Sequence, residues 1–160
     1  MTRFNKKNNK GVALFVAVLI TSVALLFSYA VSNIAVKELN LTQAGRDSQI
    51  AFYASNSGIE CALFWDLRNN SFDPNNASNS FVITCADQDV SVTAPGSGLP
   101  RTFTSEAFNL NNDPNGPCFT FTILKEDEDG DIVTQTESRG YNTCNVGSSR
   151  RLERALRATY

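Results

Sequence analysis

The sequence predicts an α+β fold in which a long N-terminal helix, transmembrane in its first half, packs on a small antiparallel β-sheet head. Three observations support this fold: residues 11–36 carry no charge, no proline occurs before Pro74, and short β-type runs alternate with turns in the last part of the chain. At 160 residues the chain has room for one head of ordinary size.

The N-terminal apolar stretch is long enough to span a bilayer. As a helix rising about 1.5 Å per residue, residues 12–36 extend roughly 38 Å, which exceeds the roughly 30 Å hydrocarbon core. Four Lys or Arg residues precede Gly11, whereas the first acid is Glu38. Because bases that flank a span stay on the cytoplasmic side, we expect a cytoplasmic N-terminus and an exported head.

Two simpler interpretations of this segment stay open. A cleaved signal peptide also has a basic start and an apolar run, and Ser28, Tyr29 and Ala30 fit its small-residue cleavage rule. Its apolar region normally covers only about 7 to 15 residues, fewer than this stretch contains. An unprocessed signal anchor would instead keep the whole segment.

Residues 37–67 are predicted to continue the helix with a one-sided apolar face. The turn-forming run 69–76 follows, so we expect the helix to end near Leu67. Gly58 is expected to allow close packing against the head, and Trp65 to pack between the helix end and the sheet. Apolar or small side chains recur at helical spacing at Ile50, Tyr53, Ala54, Ser57, Cys61 and Phe64.

Beyond the helix we expect an antiparallel sheet. Alternation in the run 118–125 places Phe119, Phe121 and Ile123 on one face, suited to packing on the helix. Residues 150–160 fit either a helix or a strand; we favour a strand, because residues 138–142 look like its hairpin partner. The predicted strands are 81–85, 90–93, 101–104, 118–125, 132–136 and 152–160.

The composition argues against catalysis and against nucleic-acid binding. The chain contains no histidine, which is the commonest general base and metal ligand, and it has neither a phosphate-binding loop nor a GxSxG motif. We therefore expect a protein that is not an enzyme and has no cofactor. Without the four bases before Gly11, 10 basic residues face 16 acidic ones, a net charge of −6 that does not suit a phosphate backbone.

Four cysteines, Cys61, Cys85, Cys118 and Cys144, lie far apart without a CxxC pair. Two disulfides in an oxidising compartment fit this spacing better than zinc or thioredoxin-type chemistry, although free thiols stay an alternative. Of the three possible connectivities we prefer Cys61 with Cys85 and Cys118 with Cys144, a choice that the sequence does not settle.

The acidic run 126–131 has two interpretations. Asp127, Asp129 and Gly130 match positions of an EF-hand calcium loop, but Lys125 and Thr136 replace its first and twelfth ligands. We therefore favour a solvated hairpin turn with Asp129 and Gly130 at its tip.

A family resemblance appears in the first part of the chain. The basic leader that ends at Gly11, followed by the apolar start Val12-Ala13-Leu14, resembles a prepilin leader, and residues 51–62 resemble the helix end of PilX-type minor pilins. The resemblance to type IV pilins covers roughly the first 65 residues. It implies cleavage between Gly11 and Val12 by prepilin peptidase.

The resemblance also implies an organisation, a location and partners. Its four regions are a basic leader (1–11), a transmembrane and assembly half-helix (12–36), an amphipathic exported half-helix (37–67) and a β-rich head (68–160). The protein would cross the bacterial inner membrane once and then enter an extracellular filament at the cell surface. Its partners would be the lipid bilayer before assembly, other pilins or pseudopilins, prepilin peptidase and the inner-membrane assembly platform.

One position departs from the usual pilin pattern. Most pilins carry a glutamate at the fifth mature position, where it neutralises the N-terminal amine of a neighbouring subunit, but this chain has Val16 there. PilX-type minor pilins and the tip pseudopilin of type II secretion also lack this acid. The resemblance therefore implies a subunit that primes assembly or occupies the filament tip. The alternative is an unprocessed single-pass anchor that presents a binding or adhesive head, and a third possibility is a secreted enzyme or inhibitor cleaved near Ala30.

Overall fold

The computed structural model describes residues 10–160, with side chains from residue 12 onward. The chain forms one long helix, α1 (Lys10–Leu67), followed by seven strands of a single antiparallel sheet. This confirms the α+β fold with an apolar N-terminal helix and a small sheet. The chain divides into two compact units between Ala44 and Gly45, and the second unit contains the last part of α1 together with the whole sheet.

Helix α1 ends at Leu67, where the sequence predicted it. Asn70 adopts a left-handed conformation with φ 48, which asparagine tolerates better than most residues. The amides of Asn70 and Ser71 donate to the carbonyls of Asp66 and Trp65 at 3.1 and 3.0 Å. Carbonyls that the helix end would otherwise leave unpaired are thereby satisfied, and the chain turns toward the sheet.

The sheet has the order β1-β2-β3-β5-β6-β7, and the short β4 pairs with the start of β5. All six predicted strands are confirmed, including the final strand that the sequence also allowed as a helix. Strand β4 was not predicted, and β6 is longer than expected. The strands are β1 (Ser80–Cys85), β2 (Gln88–Thr93), β3 (Arg101–Ser105), β4 (Phe108–Asn109), β5 (Cys118–Glu128), β6 (Asp131–Tyr141) and β7 (Glu153–Thr159).

The β5-β6 connection is the two-residue hairpin expected from the acidic run. Glu128 pairs with Asp131, and the two residues between them, Asp129 and Gly130, have φ values of 57 and 95. Positive φ at both central positions is the geometry that tight hairpins favour. The residues that would begin and end an EF-hand loop instead lie inside paired strands, so the calcium-loop interpretation was wrong about the backbone.

The core lies between the last part of α1 and one face of the sheet. Phe119, Phe121 and Ile123 are at most 1% exposed, as their alternation along β5 predicted. They meet Ala62 of α1 and a group of aromatic rings around Phe72, which stack edge to face on their neighbours.

Close contact between α1 and the sheet depends on small residues, as predicted for Gly58. A Cβ atom on Gly58 would lie 2.7 Å from the Phe119 ring, and one on Gly140 of β6 would meet the main chain of Ala51 and Ser55. The hydroxyl of Ser55 donates to the carbonyl of Ser138 at 2.8 Å. Small side chains therefore allow the helix to approach β6 at backbone distance.

Trp65 packs against the hydrophobic core, and its indole Nε1 donates to the carbonyl of Thr84 in β1 at 2.9 Å. This confirms its predicted position between the helix end and the sheet. The hydrogen bond satisfies one carbonyl on the edge of β1.

Candidate functional site

The largest candidate functional surface is the apolar part of α1. Every side chain of residues 12–36 is exposed, with Val12 at 65% and Leu25 at 71%. An 18-residue window of the helix reaches a mean hydropathy of 2.4, and none of it is buried. The helix is long and apolar enough to cross a membrane, and an apolar surface of this size needs lipid or other apolar helices around it.

Three hydroxyl groups within this segment are compatible with lipid. Thr21 and Ser22 donate to the carbonyls of Val18 and Leu19, and Ser28 donates to Ala24, at 2.9 to 3.0 Å. Each of these three hydroxyls is therefore satisfied by its own helix, which lowers the cost of placing it in a hydrocarbon core.

The predicted cleavage and assembly positions lie at the start of α1. Residues 1–9, most of the predicted leader, fall outside the described residues, whereas Gly11 and Val12 belong to the helix. Val16 is 44% exposed on the apolar surface. Its side chain offers no carboxylate to a partner.

The four cysteines form the two pairs that the sequence analysis preferred. Cys61 of α1 joins Cys85 of β1 with a Cα–Cα distance of 5.9 Å, and Cys118 of β5 joins Cys144 in the loop before β7 at 5.5 Å. The first pair ties the helix to the sheet, and the second fastens a surface loop to β5.

We expect removal of the Cys61–Cys85 pair by serine substitution of both residues to lower the free energy of unfolding by about 3 kcal/mol. Opening a loop of this length restores conformational entropy to the unfolded chain. Urea unfolding of the oxidised variant measures the effect, with the oxidised wild type as the reference.

Thiol titration of the unfolded, oxidised wild type provides the control, and we expect no reactive thiol. Four reactive thiols would contradict both pairs.

Arg101 is a buried cation that the sequence analysis missed. The residue is only 2% exposed, and its guanidinium donates to the carbonyls of Pro74, Ser78 and Ala94 at 2.9 Å and also to those of Asp73 and Asn76. Arg101 thereby fastens the loop after α1 to the loop after β2. A planar fork with several donors suits such a ring of carbonyls better than an ammonium group does.

A second polar cluster joins three distant parts of the chain, with Asp66 and Lys125 buried and Tyr160 41% exposed. The Lys125 Nζ lies 2.7 Å from Oδ1 of Asp66, and the Tyr160 hydroxyl donates to Oδ2 of the same carboxylate at 2.7 Å. Burial, together with the hydrogen bond to Asp66, raises the pKa of Tyr160 to about 12. The phenol is therefore protonated at neutral pH and remains a donor to Asp66.

The outer face of the sheet carries a network of surface charges. Glu137 lies between Arg157 and Arg139, at 2.5 and 2.7 Å, and Arg139 also approaches Glu153. Hydrogen bonds from Arg157 and then Arg139 hold the pKa of Glu137 below its ordinary value. Since both arginine side chains are more than half exposed, such pairs contribute little to stability.

Within residues 10–160, no group of three or more His, Cys, Asp or Glu side chains is arranged to hold a metal ion. The features that the structure brings together are thus the exposed apolar helix, the two cysteine pairs and the buried polar clusters. Comparisons with protein-family profiles, with curated proteins and with solved structures found no match for this chain.

Proposed function

We propose that this protein is a structural, non-enzymatic minor pilin or pseudopilin of a type IV pilus or related secretion filament. Helix α1 is the observation that carries the proposal. Its residues 12–36 are apolar and exposed on all sides, while its last part, from Gly45 onward, packs on the sheet as one compact unit. A helix of this kind suits a subunit that is stored in a bilayer and then moves into a bundle of similar helices.

The processing step is the most direct test of the proposal. In cells that contain prepilin peptidase, we expect the mature protein to begin at Val12, because the leader ends at Gly11. Mass spectrometry of the purified protein identifies this N-terminus. Matched cells that lack the peptidase should retain the complete leader.

Other N-termini would support the alternatives. A protein that keeps Met1 in the presence of the peptidase would be an unprocessed anchor with a binding head. An N-terminus just after Ala30 would indicate a secreted protein, and either result would reject the pilin proposal.

We further propose that the subunit primes the filament or occupies its tip, because it has Val16 where a shaft subunit carries glutamate. A buried N-terminal amine without a counter-charge costs several kcal/mol, which disfavours the addition of this subunit beneath an existing one. Substitution of Val16→Glu should therefore increase the fraction of subunits within the shaft. Immunogold labelling along isolated filaments measures that fraction.

Val18→Glu is the matched control for this experiment. Val18 is also an exposed residue of α1, so the substitution adds the same charge to the same apolar surface at a different position. Only Val16→Glu should move label from filament ends into the shaft. Equal distributions for the two variants would show that tip placement does not depend on the missing acid.

A further inference from the structure

Two adjoining depressions lie on the head where the β4-β5 loop meets the loop before β7. They have volumes of about 440 and 370 Å³ and share Asn115 and Asn145 in their walls. Both are shallow and largely open to solvent, so a ligand would lie against the surface instead of being enclosed.

The walls of both depressions are held in place before any ligand arrives. The cysteine pair Cys118–Cys144 ties the loop before β7 to the start of β5, directly after the β4-β5 loop, and the Cys144 amide donates to the Gly116 carbonyl at 2.8 Å. The Asn145 amide nitrogen donates to Oδ1 of Asn115 at 3.2 Å. A site fixed in this way loses little conformational entropy on binding.

The second depression has unused hydrogen-bond donors and unused hydrogen-bond acceptors. Asp47 uses Oδ2 to pair with Arg150 at 3.0 Å, which leaves Oδ1 as an acceptor and the lining without excess charge. Within residues 10–160, the hydroxyls of Thr143 and Ser148 accept amide protons but donate to no partner, and Nδ2 of Asn115 is also unused. Neutral ligands with hydroxyl groups, which both donate and accept, match such a lining.

The first depression adds an apolar wall beside an amide. Ala107, Pro114 and Val146 line it, and Val146 is 80% exposed. Asn109 lines the same depression, and its Oδ1 is buried without a hydrogen-bond partner within the described residues. That oxygen is closed off from solvent, so the amide group available to a ligand here is Nδ2 of the exposed Asn115. Apolar contacts next to this unused donor match an acetamido substituent, which joins a methyl group to a peptide-like unit.

From this geometry we infer that the paired depressions bind an N-acetylhexosamine unit of a glycan. The acetamido group occupies the apolar depression, with its carbonyl as acceptor for Nδ2 of Asn115, and the ring hydroxyls face Thr143, Ser148 and Asp47. This inference requires the head to be exported, where glycans are found, but it does not require a filament. Its failure would therefore leave the pilin proposal untouched.

Saturation-transfer NMR on the full chain in detergent micelles tests the site, with chitotriose, a linear oligosaccharide of N-acetylglucosamine, as the probe. We expect millimolar or tighter binding of chitotriose. Cellotriose has the same linkage without acetamido groups and should bind about tenfold more weakly or worse.

Two substitutions at exposed positions locate the binding. Asn115→Ala removes the amide donor, Val146→Asp places a charge in the apolar wall, and each should weaken chitotriose binding about fivefold or more, the equivalent of one hydrogen bond. Thr102→Ala changes a depression on the outer sheet face and is the matched control, for which we expect no effect. Circular dichroism and the absence of free thiols verify that each variant is folded.

Several results would overturn the inference. The first is the absence of saturation transfer to chitotriose at millimolar concentration. The second is binding of cellotriose as tight as that of chitotriose. The third is chitotriose binding that neither Asn115→Ala nor Val146→Asp weakens. Cosedimentation with purified peptidoglycan then identifies the source of the glycan. If the wild-type protein sediments with peptidoglycan and Asn115→Ala does not, the site is supported and the cell wall is the source of the glycan. If the protein binds chitotriose but does not sediment with peptidoglycan, the site is supported and the glycan belongs to another polymer.

Discussion

Substitution of Asp66→Asn is expected to lower the free energy of unfolding by about 3 to 5 kcal/mol. Asp66 lies in the last turn of α1 and is 6% exposed, and Lys125 is 8% exposed. Asparagine keeps the shape of the side chain but leaves the buried ammonium without a counter-charge, which is the most costly way to break a buried ion pair. Equilibrium urea unfolding with both cysteine pairs intact measures the loss.

The double variant Asp66→Leu with Lys125→Met is the matched control. It removes both charges together and replaces them with apolar side chains of similar size, so most of the stability should return. A double variant as unstable as Asp66→Asn would show that the loss comes from packing at the helix end. Asp66→Asn with wild-type stability would show that water reaches the pair.

Substitution of Gly140→Ala is expected to cost about 3 kcal/mol or more. An added Cβ would lie less than 3.0 Å from main-chain atoms of Ala51 and Ser55. Main-chain atoms of a helix cannot move aside as the end of a flexible side chain can, so α1 would have to shift away from β6 and disturb the core. Thermal unfolding measures the change.

The same substitution at Gly45 should have the opposite sign. A Cβ there has nothing within 4 Å, and alanine is a better helix former than glycine, so Gly45→Ala should stabilise the protein by up to about 1 kcal/mol. Equal effects at the two glycines would contradict the close contact at Gly140.

The helix and most of the sheet were predictable from local chemistry. The end of α1 at Leu67 followed from the asparagine-rich run after it, and the hairpin tip followed from Asp129 and Gly130, because these residue types tolerate left-handed conformations. Strand β4 was missed because Phe108 and Asn109 are too few to show a period.

The continuity of β6 was missed for a different reason, because residues 132–136 and the hairpin partner 138–142 were predicted as separate segments. The buried positions in its second half are Thr136, Ser138 and Gly140, which show no apolar alternation. Small polar residues occur on this face because α1 approaches too closely for larger side chains. The pattern that marks a buried strand was therefore absent at the point of closest packing.

The buried polar clusters could not be predicted from one sequence. Lys125 is 59 residues from its partner Asp66, and Tyr160 is 94 residues from it. Within residues 10–160, every hydrogen bond that the Arg101 guanidinium donates goes to a main-chain carbonyl, a group that every residue has, so no side-chain motif marks its site. Such pairings depend on the tertiary fold. For the same reason, the sequence alone could not select one of the three possible cysteine connectivities.

The Cys61–Cys85 pair also determines how the head responds to mechanical load. Tension that enters the head through its helix crosses directly to the first strand at this bond, which bypasses a sequence separation of 24 residues. Without the bond, the segment between Cys61 and Cys85 could extend to about 80 Å. While the bond stays oxidised, the residues between the two cysteines cannot extend under tension. A head under tension would therefore lengthen by unfolding its later strands instead.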